Sequence, residues 1–251
     1  MRRFFVPPSS LDNEIVPLPD DIAHHIRTVL RLAPGDEIIL LDGQGRRCRC
    51  RLETLDKRSA SARILESCQE EETAFPIQLL QALPKGDKME LVLQKGTELG
   101  ITAFSPVTTS RSLPPLAGER EEKRLARWER IIREAARQSR RPVLPRLDAP
   151  IPLVEALIAC DAELRLMLWE EESLAMAGVL SGVAPRSAAI LVGPEGGFSQ
   201  QEAEAARAAG FNPVQIGPRI LRCETAGFAV ASVLQYLFGD LGSAGSTRND
   251  P

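Results

Sequence analysis

Five apolar residues in succession, Ala188–Val192 (AAILV), run straight into Gly193–Phe198 (GPEGGF), and this junction restricts the fold more than any other stretch of the chain. A strand with no polar face must be covered on both sides, the situation of a strand inside a parallel sheet. Beyond the loop, Ser199 and Glu202 have the spacing of a capping box, which predicts a helix ended by Gly210. A second unit of the same kind follows. Val214–Ile216 reads as a short strand feeding GPRILRCET, and Thr225–Phe238 is Ala-rich and apolar nearly all round, which predicts a buried helix.

The same alternation extends upstream. Ile77–Leu83 reads as a strand, Asp87 can cap a helix through Leu99 that Gly100 ends, and Ile101–Val107 reads as the next strand. Helical spacing then covers Glu119–Ser139 and Ile151–Ala159, and Leu164–Trp169 is another strand. Such βα alternation predicts an α/β domain with a largely parallel sheet. The first 65 or so residues differ. Glu37–Asp42 and Arg46–Leu52 flank DGQG as a hairpin, Ala60–Leu65 offers a further strand, and Asp20–Leu32 is the one helical stretch. A small β-barrel is the expected package. Ser67–Phe75, polar and acidic, reads as the linker. The expected organisation is therefore 1–72, 73–242, and a small polar tail, 243–251, expected to be disordered.

Composition excludes several classes. Lys+Arg 31 against Asp+Glu 34 gives a net charge of −3, so nucleic acid cannot be held by bulk charge and needs a local patch. Residues 111–150 provide one, at +5, whereas 151–210 carry −6. Period-two alternation places Cys48, Cys50 and Leu52 on one strand face and Arg47, Arg49 and Arg51 on the other, a second basic ribbon. The five cysteines (48, 50, 68, 160, 223) include no CxxC pair, which predicts neither a disulfide framework nor a zinc site, and a reducing cytoplasm suits them. His24 and His25 are the only histidines, and neighbours on a helix point apart, so no metal site is expected. No apolar window reaches the roughly 18 residues of a membrane span.

In open α/β sheets ligands bind at the carboxyl ends of strands, so GPEGGF and GPRILRCET are candidates to line one site. The first lacks GK[ST] and GxGxxG, and Glu195 within it repels phosphate. Its glycines suit a neutral or cationic ligand read by main-chain groups. Arg219, Arg222 and Glu224 belong to the second loop, pinned by the apolar helix that follows. These residues leave open an RNA-modifying enzyme, a non-enzymatic RNA-binding module and a nucleotide-dependent oxidoreductase.

Four segments, KGDKMELVLQKGTELG (85–100), EAARQSRRPVLP (134–145), LVGPEGGFS (191–199) and IGPRILRCETA (216–226), resemble the ribosomal RNA uracil-N3 methyltransferases of the SPOUT superfamily, the small-subunit methyltransferase E group. HHIRTVLRLAPGDEIILLDGQG (24–45) is similar to that family's PUA-like barrel. Cys223 stands where the family often has Thr, and Gly227 where another small residue or Pro is common. The resemblance implies a C-terminal trefoil knot, S-adenosylmethionine in the knot loops, a homodimer, and small-subunit ribosomal RNA or the assembled small subunit as partner. It implies cofactor contacts from Leu168, Val192, Gly193, Pro194, Glu195, Gly196, Gly197, Ile216, Gly217, Ile220, Leu221, Thr225 and Ala226. For proton removal and charge stabilisation at a ring nitrogen, the candidates are Arg222, Glu224 and Glu98. For RNA they are Arg2, Arg3, Arg47, Arg49, Arg51, Lys85, Lys95, Arg137, Arg140 and Arg141.

Overall fold

A computed structural model describes residues 2–56, 59–72, 74–112, 117–171 and 173–242; the tail 243–251 lies outside them. In chain order the elements are β1 (Arg2–Phe5), β2 (Ile15–Pro17), α1 (Asp20–His24), β3 (Glu37–Leu41), β4 (Arg46–Leu55), β5 (Ala60–Gln69), β6 (Ile77–Ala82), α2 (Lys88–Glu98), β7 (Ala103–Thr108), α3 (Glu119–Ser139), β8 (Arg146–Leu147), β9 (Ile151–Pro152), α4 (Leu153–Ala159), β10 (Leu164–Leu168), β11 (Leu174–Ala175), α5 (Met176–Leu180), β12 (Ala188–Val192), α6 (Gln200–Ala208), β13 (Asn212–Gln215) and α7 (Cys223–Phe238). They form two units, Met1–Glu72 with Ala136–Leu144, and Thr73–Ala135 with Pro145–Gly245. Residues 136–144 thus group with the N-terminal unit although the sequence sets them in the second.

The N-terminal unit holds a five-stranded sheet in the order β1-β3-β4-β5-β2. The hairpin stands, with Leu40 opposite Cys48 and Ile38 opposite Cys50. The two cysteines are fully buried with Leu11, Val16 and Ile26. The predicted helix Asp20–Leu32 breaks in two: α1 gives way to a π-helical turn, His25–Leu30, which ends at Arg31 in a left-handed conformation (φ 54°). Pro19 occupies the N-cap, and no side chain caps the helix. The predicted linker is shortened, because β5 continues through Ser67–Gln69 to pair with Arg46–Cys48.

In the second unit the sheet is eight-stranded, ordered β11-β13-β10-β12-β6-β7-β8 with β9 also beside β7, and every pairing is parallel. Its strands alternate between two cores. Leu79, Ile190 and Leu166 face one core with α2 and α7, while Leu80, Leu191 and Met167 face the other with α4 and α6. This arrangement is why all five residues of β12 are buried. The Ser199–Glu202 capping box forms as the spacing predicts. Asp87, by contrast, makes no side-chain cap at α2. Gly96 sits inside α2 despite its helix cost because a Cβ there would lie 2.7 Å from the ring of Phe104, which is fully buried.

Gln235 is a fully buried polar residue near the end of α7. Its amide nitrogen donates to the carbonyls of Phe75 and Gly100, both at 2.9 Å, and its oxygen accepts from the Phe75 N–H at 2.9 Å. One fully buried side chain thus joins α7 to the entry of β6 and the exit of α2. Gln235→Leu should lower unfolding free energy by about 3 kcal/mol through backbone groups left without partners. Urea denaturation of the variant measures it, and a loss below about 0.5 kcal/mol would show that water replaces the amide.

Candidate functional site

Because β10, β12 and β13 are parallel neighbours, their carboxyl ends open on one edge of the sheet. There the chain forms a cleft of about 820 Å3 lined by Leu168 and Trp169 after β10, Val192–Phe198 after β12, and Val214–Glu224 with Ala226 after β13. Both predicted loops therefore meet in one site. Of the residues expected at the cofactor, only Thr225 is absent from the lining; it lies in the first turn of α7.

The floor is main chain. Gly197 has φ +69°, a conformation that suits glycine, and a Cβ at either Gly197 or Gly217 would enter open space. Apolar side chains stand on the walls, with Ile220 79% and Ile216 37% exposed. Unburied isoleucines beside open backbone suit a flat or aliphatic ligand. These features fit S-adenosylmethionine, whose adenine and methionine parts need apolar walls and main-chain hydrogen bonds and whose sulfonium tolerates nearby carboxylates.

Electrostatics centre on Lys88 at the start of α2. Its Nζ lies 2.7 Å from Glu195 and 3.6 Å from Glu224, so one cation lies against a carboxylate from each loop. Glu195 also accepts from the Lys85 N–H at 3.1 Å. Burial opposes ionisation of Glu195, yet the hydrogen bonds from Lys88 and from main-chain N–H groups outweigh it and hold the carboxyl below its ordinary range. Glu224 is held low in the same manner, burial being offset by main-chain, Cys223 and Lys88 interactions. Desolvation, followed by its hydrogen bond to Glu224 at 3.3 Å, pushes the half-buried Cys223 thiol up to about 12, so it is no nucleophile at neutral pH.

Arg222 is 82% exposed at its side chain and reaches Glu224 only at 3.9 Å, leaving its guanidinium turned to solvent at the cleft. Arg111, which the sequence did not single out, donates to the carbonyls of Gly196 at 2.8 Å and Phe198 at 3.3 Å and so braces the first loop. Trp169 and Lys88 were likewise missed, since each reaches the cleft through contacts that no local pattern announces. Glu98 lies apart from these residues: it ends α2, ten residues beyond Lys88 and about 15 Å along the axis, paired with Lys95 at 2.9 Å and outside the cleft lining.

The RNA candidates also change character. The ribbon on β4 is a ladder of ion pairs, Arg49 and Arg51 with Glu37 at 3.1 and 3.2 Å, Arg49 with Glu66 at 3.3 Å, and Arg47 with Glu70 at 3.4 Å. Arg141 is 8% exposed and joined to Glu72 at 2.7 Å, so it braces the N-terminal unit. Arg3 is buried; Arg2, Lys85 and Arg140 are exposed, and Lys95 and Arg137 are half-buried. No group of His, Cys, Asp and Glu among the described residues is arranged to hold a metal ion, and no helix among them is long and apolar enough to cross a membrane.

Comparison with known proteins agrees with this layout. A family model described as an RNA methyltransferase domain matches residues 71–235, and one described as an RNA methyltransferase PUA domain matches 18–65. The ribosomal RNA small subunit methyltransferase E of Bacillus subtilis is 33% identical over 247 residues, 94% of this chain and 96% of that protein. Its counterpart from Synechocystis is 36% identical over 229 residues, 89% of this chain and 74% of that protein. Among solved structures, the ribosomal RNA small subunit methyltransferase E from Neisseria gonorrhoeae bound to S-adenosyl methionine has a TM-score of 0.87 and 38% identity, covering 96% of this chain and 99% of that one. With both loops converging on one cleft and similarity extending over almost its whole length, the chain belongs to the ribosomal RNA small subunit methyltransferase E family.

Proposed function

We propose that the chain transfers a methyl group from S-adenosylmethionine to N3 of a uridine in small-subunit ribosomal RNA. The observation that carries this reading is the single cleft at the carboxyl ends of β10, β12 and β13, with open glycine backbone, exposed isoleucines and a solvent-facing arginine on one rim. The residues suited to hold the cofactor are Leu168, Gly193–Gly197, Ile216, Gly217, Ile220, Leu221 and Ala226. Bound there, S-adenosylmethionine supplies an electrophilic methyl group on a cationic sulfur.

Neutral uracil carries a proton on N3, so the site must favour the anion that forms as this proton passes to solvent water at the open cleft. Arg222 is the group suited to do so, by donating to a uracil carbonyl oxygen as negative charge builds on the ring. Glu224 orients it. The low proton affinity of Glu224, fixed by Lys88 and Cys223, argues for an anchor and against a base. RNA enters as the substrate of a two-part chain, with 1–72 as its RNA-binding barrel and 73–242 as its catalytic domain. Tyr236 and Leu237 expose apolar surface on α7, at 66% and 51%, which supports a homodimer through that helix. The knot and a cytoplasmic location belong to the same reading.

Incubation with labelled S-adenosylmethionine and unmethylated small subunits, followed by nucleoside digestion, should yield 3-methyluridine; label on another nucleoside, or none, would contradict the reading. Gly217→Ala adds a methyl group in open space at a backbone conformation any residue adopts, so thermal stability should hold while cofactor affinity falls about tenfold by steric overlap. Calorimetric titration checks it, and unchanged affinity would remove the second loop from the site. Arg222→Ala should cut single-turnover rate by ~10²–10³ with cofactor affinity retained, and Arg222→Lys should rescue poorly for want of the planar fork. A wild-type rate in Arg222→Ala would dismiss this role.

A further inference from the structure

Outside the cleft, the second unit has a smaller cavity of about 310 Å3 between the β6–α2 turn and α3. Leu83 and Met89 give it apolar walls, and Trp128 lies beneath the guanidinium of Arg124, whose carbon is 5.0 Å from the ring centroid. The other basic side chains at its edge are matched. Arg127 pairs with Glu90 at 2.7 Å and Lys123 with Glu119 at 2.6 Å. Arg124 is not. Its Nε and Nη2 are shielded from water and have no hydrogen-bond partner among the described residues. Burial accordingly pushes its pKa down, only partly opposed by Glu121. Asp87 supplies a carboxylate on the opposite side, and its side chain makes no capping bond to α2.

A guanidinium stacked on an aromatic ring, with two of its nitrogens lacking hydrogen-bond partners, is under-satisfied and gains from an acceptor that enters beside it. Apolar walls, an aromatic ring under a guanidinium, free donors and one acceptor are together the chemistry of an unstacked nucleotide. A plain anion would gain nothing from Leu83, Met89 and Trp128 and would meet repulsion from Asp87.

We propose that this cavity is a second RNA subsite, which seats one extruded nucleotide of the substrate with Arg124 donating to its phosphate or base carbonyl oxygen. The inference rests on the RNA methyltransferase reading and adds a contact distinct from the methyl-transfer cleft. The cavity borders the β6–α2 connection, and the residue after Asp87, Lys88, contacts a carboxylate of each loop of the cleft, which links the subsite to the methyl-transfer site.

The test is tryptophan fluorescence of the full chain titrated with a single-stranded RNA hexamer of mixed sequence and, separately, with inorganic phosphate. The hexamer should quench emission in the wild type, and the quench should vanish in Trp128→Phe, which excludes Trp169 as the reporter. Arg124→Gln should weaken hexamer binding by about tenfold or more, without loss of S-adenosylmethionine affinity. Its melting temperature should hold, since no ion pair or hydrogen bond of Arg124 is lost among the described residues, whereas a structural brace would make it fall. Unchanged hexamer affinity in Arg124→Gln, or a quench that survives in Trp128→Phe, would overturn the proposal. So would phosphate alone reproducing the quench and displacing the hexamer with equal effect, which would mark a simple anion site. Hexamer binding that follows these expectations in a chain unable to bind S-adenosylmethionine would refute the methyltransferase reading and leave the nucleotide subsite in place.

Discussion

Parallel pairing of β10 with β12 and β13 is the constraint from which the site follows. Met167 lies between Leu191 and Pro213 in register, so the three strands end at one level and the loops after them have a single edge to occupy. Burial of both faces holds that register, because a slip of one residue would exchange the side chains of two dissimilar cores. Gln235 then anchors α7, whose first turn carries the end of the second loop. Glycine at 197 and 217 leaves main chain open at the cleft, beside the exposed side chains of Ile216 and Ile220.

Charge completes what register begins. Two carboxylates facing one cleft would repel each other, and Lys88 resolves this by lying against Glu195 and Glu224 together. The arrangement offsets part of the negative charge of the two loops and leaves Arg222, 3.9 Å from Glu224, turned toward solvent at the cleft. Arg111 fixes the first loop from the far side through two carbonyls. The loops are thus held before any ligand arrives, as preorganised charge stabilisation requires.

Much of this was legible in the chain. The AAILV run, the capping box and the two glycine-bearing loops announce strand, loop and helix locally, and the structure places them as the pattern says. What stayed hidden depends on distant pairing. Lys88 and Glu195 are 107 residues apart, and no periodicity links them. Alternation correctly put Arg47, Arg49 and Arg51 on one face, but cross-strand partners decide whether such a face is free or paired, and Glu37, Glu66 and Glu70 pair it. Glu98 shows the limit of motif proximity: it shares a sequence segment with Lys88, yet the helical rise carries it away from the cleft. The π-helical turn after α1 had no signal, since apolar spacing does not distinguish helix widths.

Hydrogen exchange of the full chain with and without S-adenosylmethionine tests the central claim, that the loops after β12 and β13 form one binding site. Saturating cofactor should slow exchange together in peptides covering Gly193–Phe198 and Ile216–Ala226, with a further effect at Leu168 and Trp169. Protection confined to only one loop, or appearing only in the N-terminal unit, would contradict the account.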